Sequence, residues 1–304
     1  MIWICIAERR YNSLIYIVTK AYNAEKTIRR TIESVISQTF GDFTYYVCNN
    51  GSLDGTEEII QEYAEKDKRV VLIRQYPNCL TSYGTVCGSE MKKYIYRIMF
   101  NIEERDWYSL LDADDDLKPT FFEDLLLFAK QENLDYVACR SDFIKEPENI
   151  ICNEHILEKD IVMKTKDDFD KLFPDYFRYM GAGWGKLQKG SIFHKFERSY
   201  YGNWLLEKNL SSRSDTAAQF FYLYYSERAG VKAKALHNYH LYPKGTSISN
   251  ANLEGKIEDN YKMPAIYRDF LTKKVGYVSA ENEQFIQEVF ERSQRRTYEE
   301  MNKS

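Results

Sequence analysis

Three short runs in the first quarter of the chain are almost wholly apolar: Ser13-Leu14-Ile15-Tyr16-Ile17-Val18, Phe43-Thr44-Tyr45-Tyr46-Val47-Cys48 and Val70-Val71-Leu72-Ile73. A strand with one wet face alternates apolar and polar residues, so continuous runs belong to strands covered on both faces, as in a parallel sheet. Between them, Ile28, Ile32, Val35 and Ile36, then Ile59, Ile60 and Tyr63, fall at helical spacing. Tyr22-Asn23 is expected to open the first of these helices. The resulting β-α-β-α-β order predicts an α/β fold, a doubly wound, mostly parallel Rossmann-like sheet flanked by helices. Ligands of such sheets collect at the carboxyl ends of the strands. Here those ends are Thr19–Asn23, Cys48–Asp54 and Asp112–Asp116.

The last of them carries chemistry. The apolar run Trp107-Tyr108-Ser109-Leu110 leads into Leu111-Asp112-Ala113-Asp114-Asp115-Asp116. Alternation places Asp112 and Asp114 on one side of the strand end, about 6–7 Å apart along it. Clustered hard oxygen donors suit Mg²⁺ or Mn²⁺ carrying a phosphate-bearing substrate. A solvated acidic turn uses the same residues, since Asp is common in turns. Residues 13–74 contain no glycine-rich phosphate cradle, and Gly181-Ala182-Gly183-Trp184-Gly185 lies too far along the chain for a dinucleotide fingerprint.

Composition removes other classes. Forty-two basic residues against 46 acidic ones give a net charge of −4 without a dense Lys/Arg run, so no nucleic-acid partner is expected. Met1–Ala7 is apolar but too short to span a membrane and lacks the basic start of a signal peptide; it reads as an edge strand or a leader. Any membrane contact is expected to be peripheral. The six cysteines form no Cys-x-x-Cys pair and do not alternate with the four histidines in zinc spacing. A reduced, cytoplasmic protein follows, with the inner face of a membrane as a further expected location.

Four motifs in order then carry a resemblance: Val18-Thr19-Lys20-Ala21-Tyr22-Asn23, Ser34-Val35-Ile36-Ser37-Gln38-Thr39-Phe40, Asn49-Asn50-Gly51-Ser52-Leu53-Asp54-Gly55-Thr56 and Leu111-Asp112-Ala113-Asp114-Asp115. In them the chain resembles family 2 glycosyltransferases of the A-type nucleotide-diphospho-sugar (GT-A) fold. The resemblance is dense to about residue 125, thinner to about 250 and absent beyond. It implies a GT-A domain over 1–250, with a nucleotide-binding half (1–118) and an acceptor half (119–250), and a helical extension over 251–304. It also implies an inverting hexosyl- or N-acetylhexosaminyl-transferase. The partners would be a nucleotide-diphospho-sugar donor, UDP-type by expectation, and a saccharide or glycolipid acceptor of surface polysaccharide synthesis. The competing readings are a non-catalytic nucleotide-sugar-binding relative and a nucleotidyltransferase.

Residue by residue, the resemblance implies that Thr19, Ala21 and Tyr22 meet the base, largely through backbone groups. Asn50 stands where the family usually has an Asp that accepts from uracil. Asp112 and Ala113 would approach the ribose, and Asp114 would hold Mn²⁺ or Mg²⁺. Ser52 and Asp54 read as caps of the following helix. Two departures bear on the donor: Asn49-Asn50 replaces an Asp-Asp pair, and Lys20 replaces a common Pro. An Asn oxygen still accepts an N–H but without charge assistance.

In the second half, Asp135–Cys139 reads as a strand and Lys145–Lys171 as a polar, irregular insertion. Trp184-Gly185-Lys186-Leu187 resembles the stretch that precedes the acceptor-side helix in bacterial members. The matching helix start is Ser212-Arg213-Ser214-Asp215, which makes Asp215 the expected general base, with Ser214 in place of the usual Glu. His240 is the expected additional metal ligand, and Trp184 either a sugar-stacking ring or a core anchor. In the tail, Ser279 is expected to cap a helix bearing Phe285, Ile286, Val289 and Phe290. Residues 292–304 are expected to fray.

Overall fold

The computed structural model describes residues 13–74, 95, 97–153, 156–165, 167–170, 179–200, 214–243 and 253–301. Within these, the side chains of 214–217, 253–261, 289–294, 296–297 and 300–301 lie outside the description. Strands β1 (Ile15–Ala21), β2 (Phe43–Asn49) and β3 (Val70–Arg74) alternate with helices α1 (Ile28–Ile36) and α2 (Thr56–Lys66). All three apolar runs are therefore strands. β1 pairs in parallel with β2 on one side and with β4 (Trp107–Asp112) on the other, and β2 pairs in parallel with β3. The chain thus winds outward from β1 and then returns across it, leaving the switch point between β1 and β4.

Past β4 come β5 (Asp116–Leu117), α3 (Phe121–Glu132), β6 (Tyr136–Lys145), β7 (Ile150–Ile151), β8 (Ile161–Met163), β9 (Lys186–Lys189), α4 (Gly190–Glu197), α5 (Ser214–Tyr225) and β10 (Ala229–Leu241). The sheet order is β3-β2-β1-β4-β9-β6-β10-β5, with β7 beside β6 and β8 beside β10. β9 runs antiparallel to both β4 and β6, while β10 is parallel to β6. The fold is α/β with a mostly parallel central sheet, as expected.

Both faces of that sheet are covered. Ile15 and Ile17 join Ile28, Ile32, Phe121 and Leu125 in one buried cluster. Val18 and Tyr108 face the opposite cluster, which includes Phe193, Phe220, Phe221, Tyr267 and Phe270. The last two belong to α6 (Leu253–Lys274), which with α7 (Ala280–Met301) forms the C-terminal part. Tyr267 stacks on Phe220 with centroids 3.8 Å apart, so these helices pack on the sheet's own core.

Several expectations are corrected. Helix α1 begins at Ile28, not near Tyr22, because Asn23 adopts φ 49°, a conformation that Asn tolerates better than most residues. Its side-chain oxygen accepts from Leu53 N–H at 2.9 Å, which ties it to the next loop. The 145–171 stretch is not wholly irregular, since it supplies β7 and β8. Ser279 does cap α7, accepting from Asn282 N–H at 3.1 Å, but the helix continues to Met301 rather than fraying at 292. Residues 1–12, most of 75–96 and the expected domain boundary at 250 lie outside the described residues.

Candidate active site

The carboxyl ends of β2, β1 and β4 lie side by side, with Lys20 in register with Cys48 on one flank and Asp112 on the other. Lys20 is exposed. Burial pushes the Cys48 thiol up to about 12, with the Lys20 ammonium working against it. Thr19 and Ala21 are sealed in the sheet, the Thr19 hydroxyl accepting from Tyr45 O–H at 2.9 Å. Their side chains cannot meet a ligand, so any contribution comes from backbone or from the exposed Tyr22. The Ala21 carbonyl already accepts from Asn50 N–H at 2.8 Å, which fixes the start of the second loop against the first.

That second loop is cross-tied throughout. Asn49 donates to Glu57 Oε2 at 2.5 Å and accepts from Ser52 N–H at 3.1 Å. Ser52 Oγ accepts from Asn23 N–H at 3.0 Å, so it joins the loops rather than capping α2. Asp54 accepts from Thr56 N–H at 3.1 Å and from Glu25 N–H at 3.2 Å. Burial pushes the Asp54 carboxyl up, but these bonds and the Thr56 hydroxyl outweigh it and hold it below the usual range. Asn49 and Asp54 are therefore structural. Asn50 is different: its side-chain oxygen is buried and has no hydrogen-bond partner among the described residues. A buried acceptor left unmade costs about 1–3 kcal/mol, which a donor group arriving with a ligand would recover.

The acidic loop after β4 is held by its backbone. Thr27 and Thr31 of α1 donate to the Ala113 carbonyl at 2.8 and 3.0 Å, and Thr31 also lies 2.7 Å from the Asp115 carbonyl. Arg30 Nη2 donates to the Asp114 carbonyl at 2.5 Å. Asp115 is fully buried, taking His240 N–H at 2.9 Å and lying 3.4 Å from His237 Nε2. Helix α1 and strand β10 thus set the loop's shape through its carbonyls and Asp115, while Asp112, Ala113 and Asp114 stay half-buried at the strand end. Among the described residues no set of three or more His, Cys, Asp or Glu side chains could hold a metal. Two carboxylates without a closed cage fit a cation that completes its shell with phosphate oxygens and water.

His240 Nε2 lies 2.6 Å from Asp116 Oδ2 and its Nδ1 2.7 Å from Glu146 Oε1, so both nitrogens have carboxylate partners. Arg30 lies 3.5 Å from Asp116 and 3.6 Å from Glu146, closing a polar knot that fastens β10 to α1. Asp215 belongs to α5, with its side chain outside the description. Sequence reasoning missed Arg30 and His237, because single residues that meet across long separations leave no spacing signal.

Comparisons with known proteins come to the same region. The family described as glycosyl transferase family 2 matches residues 16–78. The uncharacterized glycosyltransferase YibD of Escherichia coli K12 is 31% identical over 129 residues, 42% of this chain and 33% of that protein. Chondroitin synthase of Pasteurella multocida is 25% identical over 247 residues, 80% of this chain and 22% of that protein. The chain thus spans a third or less of the length of either relative. The crystal structure of S. aureus TarS 1–349 in complex with UDP-GlcNAc superposes with a TM-score of 0.64, covering 90% of this chain and 71% of that one. At 14% identity that likeness is one of fold.

Proposed function

With the family 2 glycosyltransferase region at residues 16–78 as premise, we propose that the chain transfers a sugar, with inversion, from a UDP-type donor to a hydroxyl of a saccharide or glycolipid. The observation that carries this is the buried, unpartnered oxygen of Asn50, on the sheet edge that also carries Asp112 and Asp114. Uracil offers an N–H of the kind that oxygen lacks. Asp112 and the Ala113 backbone approach the ribose. Asp114 would hold Mn²⁺ or Mg²⁺, which when bound would supply positive charge against the departing diphosphate, an effect of several kcal/mol. The TarS complex with UDP-GlcNAc supports the donor class by likeness of fold.

Asp215 takes the proton of the attacking hydroxyl, a contribution of about 10²–10⁴ in rate. Gln219, one turn further along α5, accepts from Tyr136 O–H of β6 at 2.9 Å and from Gln188 Nε2 of β9 at 2.7 Å, so the helix that carries the base is bolted to the sheet. No helix among the described residues is long and apolar enough to cross a membrane. The test is release of UDP from UDP-GlcNAc with Mn²⁺, compared between the wild type and Asp215→Asn. Turnover that falls at least about 100-fold in the variant while UDP affinity is kept supports the assignment. Unchanged turnover would remove Asp215 from the mechanism.

A further inference from the structure

Beyond β4, away from β1 and β2, the sheet edge carries a group of rings. Trp184 is half-buried in the loop ahead of β9, and a bridge joins it to Leu110 of β4. Its indole lies on the His237 imidazole, centroids 4.6 Å apart and planes 13° from parallel. Tyr239, two residues along β10, is 5.1 Å away and tilted by 34°. Phe143 of β6 stands edge-on to Trp184 at 6.4 Å and 5.3 Å from Tyr239, its register partner.

The support beneath these rings is rigid. His237 is fully buried, with Ser141 Oγ 3.0 Å from Nδ1 and Asp115 Oδ2 3.4 Å from Nε2. The loop is pinned by the buried Lys186, whose ammonium donates to the carbonyls of Met180 and Ala182. Gly185 turns the chain with φ 71°. One face of Trp184 is therefore committed to β10, yet Trp184, Phe143 and Tyr239 all remain half-buried. By contrast, the core aromatics Phe193, Phe220 and Tyr222 are 0–1% exposed.

We propose that Phe143, Trp184 and Tyr239 form an acceptor subsite that takes a pyranose ring by its C–H face. A pyranose presents axial C–H groups on one face and hydroxyls at its rim, and the negative face of an aromatic ring attracts the former. The position selects acceptor over donor. Asp115, adjacent to Asp114, lies 3.4 Å from His237 beneath the platform, and Trp184 bridges β4 on the side away from β1 and β2, so the rings stand beside the acidic loop and across β4 from the nucleotide strands. The inference rests on the donor reading above for what the bound sugar would attack.

The experiment is saturation-transfer NMR on the full chain, using the methyl β-glycosides of glucose, galactose and N-acetylglucosamine as probes, with a separate UDP titration. Transfer to the C–H protons of one ring face of at least one glycoside is expected. Phe143→Ala and Tyr239→Ala should each weaken that binding about tenfold, the scale of a modest anchor residue, with UDP affinity unchanged. Tyr239→Leu keeps bulk without a ring and should lose binding too, which separates stacking from a folding defect. No transfer to any glycoside, or equal transfer in wild type and variants, overturns the subsite. Failure of UDP to bind the wild type would count against the donor reading alone.

Discussion

At the residue scale the central feature is Asn50. Its backbone is fixed by Ala21 and its side-chain oxygen is buried without a partner, while its neighbour Asn49 is used up in holding the loop. The Asn-Asn pair was legible as a departure from the family, but the division of labour between its members was not. That division depends on Glu57 and Ser52 reaching Asn49 first. Asn50→Ala is expected to weaken UDP binding by about 5–30-fold, the equivalent of one buried hydrogen bond of 1–2 kcal/mol. Asn50→Asp should bind at least as tightly as the wild type, because the acceptor gains charge. Calorimetric titration of the two variants checks both; an Asn50→Ala chain that binds UDP normally would remove the residue from the base site.

At the element scale, α1 does more than cover the sheet. Its hydrophobic spacing was readable from Ile28, Ile32 and Val35, all buried as expected. Its second role was not readable, because Thr27, Arg30 and Thr31 serve the acidic loop through main-chain carbonyls, which any residue type presents. Thr31→Val keeps the shape of the side chain and removes the hydroxyl. It should lower stability by about 1–3 kcal/mol in urea unfolding, since the carbonyls of Ala113 and Asp115 lose a buried donor. It should also reduce Mn²⁺-dependent UDP binding by loosening the loop that bears Asp114. Loss of stability without any change in binding would mean that the loop keeps its shape unaided. Strand β10 illustrates the same limit, for its pairing with β6 carries register shifts between Lys232 and His237. Bulges arise from pairing with β6 and have no signature within the strand itself.

At the scale of the whole molecule, the parallel half of the sheet was plain in the sequence because continuous apolar runs have few other uses. The antiparallel insertion of β9 between β4 and β6 was not, since four residues carry too little periodicity to fix a partner. An ion pair also ties the chain just past β5 to β6. Burial pushes the Asp142 carboxyl of β6 up, but hydrogen bonds from Lys118, just past β5, and from Asn153 outweigh it, and the net direction is down. A carboxyl depressed in the folded state contributes stability that is present above its unfolded pKa of about 3.9 and is lost as pH falls through the folded value. Stability to thermal unfolding should therefore fall below about pH 4, and Asp142→Asn should flatten that acid limb. Identical acid limbs would show that Asp142 is not coupled to folding. The account as a whole stands or falls on donor recognition. Calorimetric titration of the full chain with UDP, GDP, CDP and dTDP, each with Mn²⁺ and with EDTA, tests it most directly. Binding of UDP that requires Mn²⁺ and exceeds that of the other three is the predicted result; no binding of any of them would contradict it.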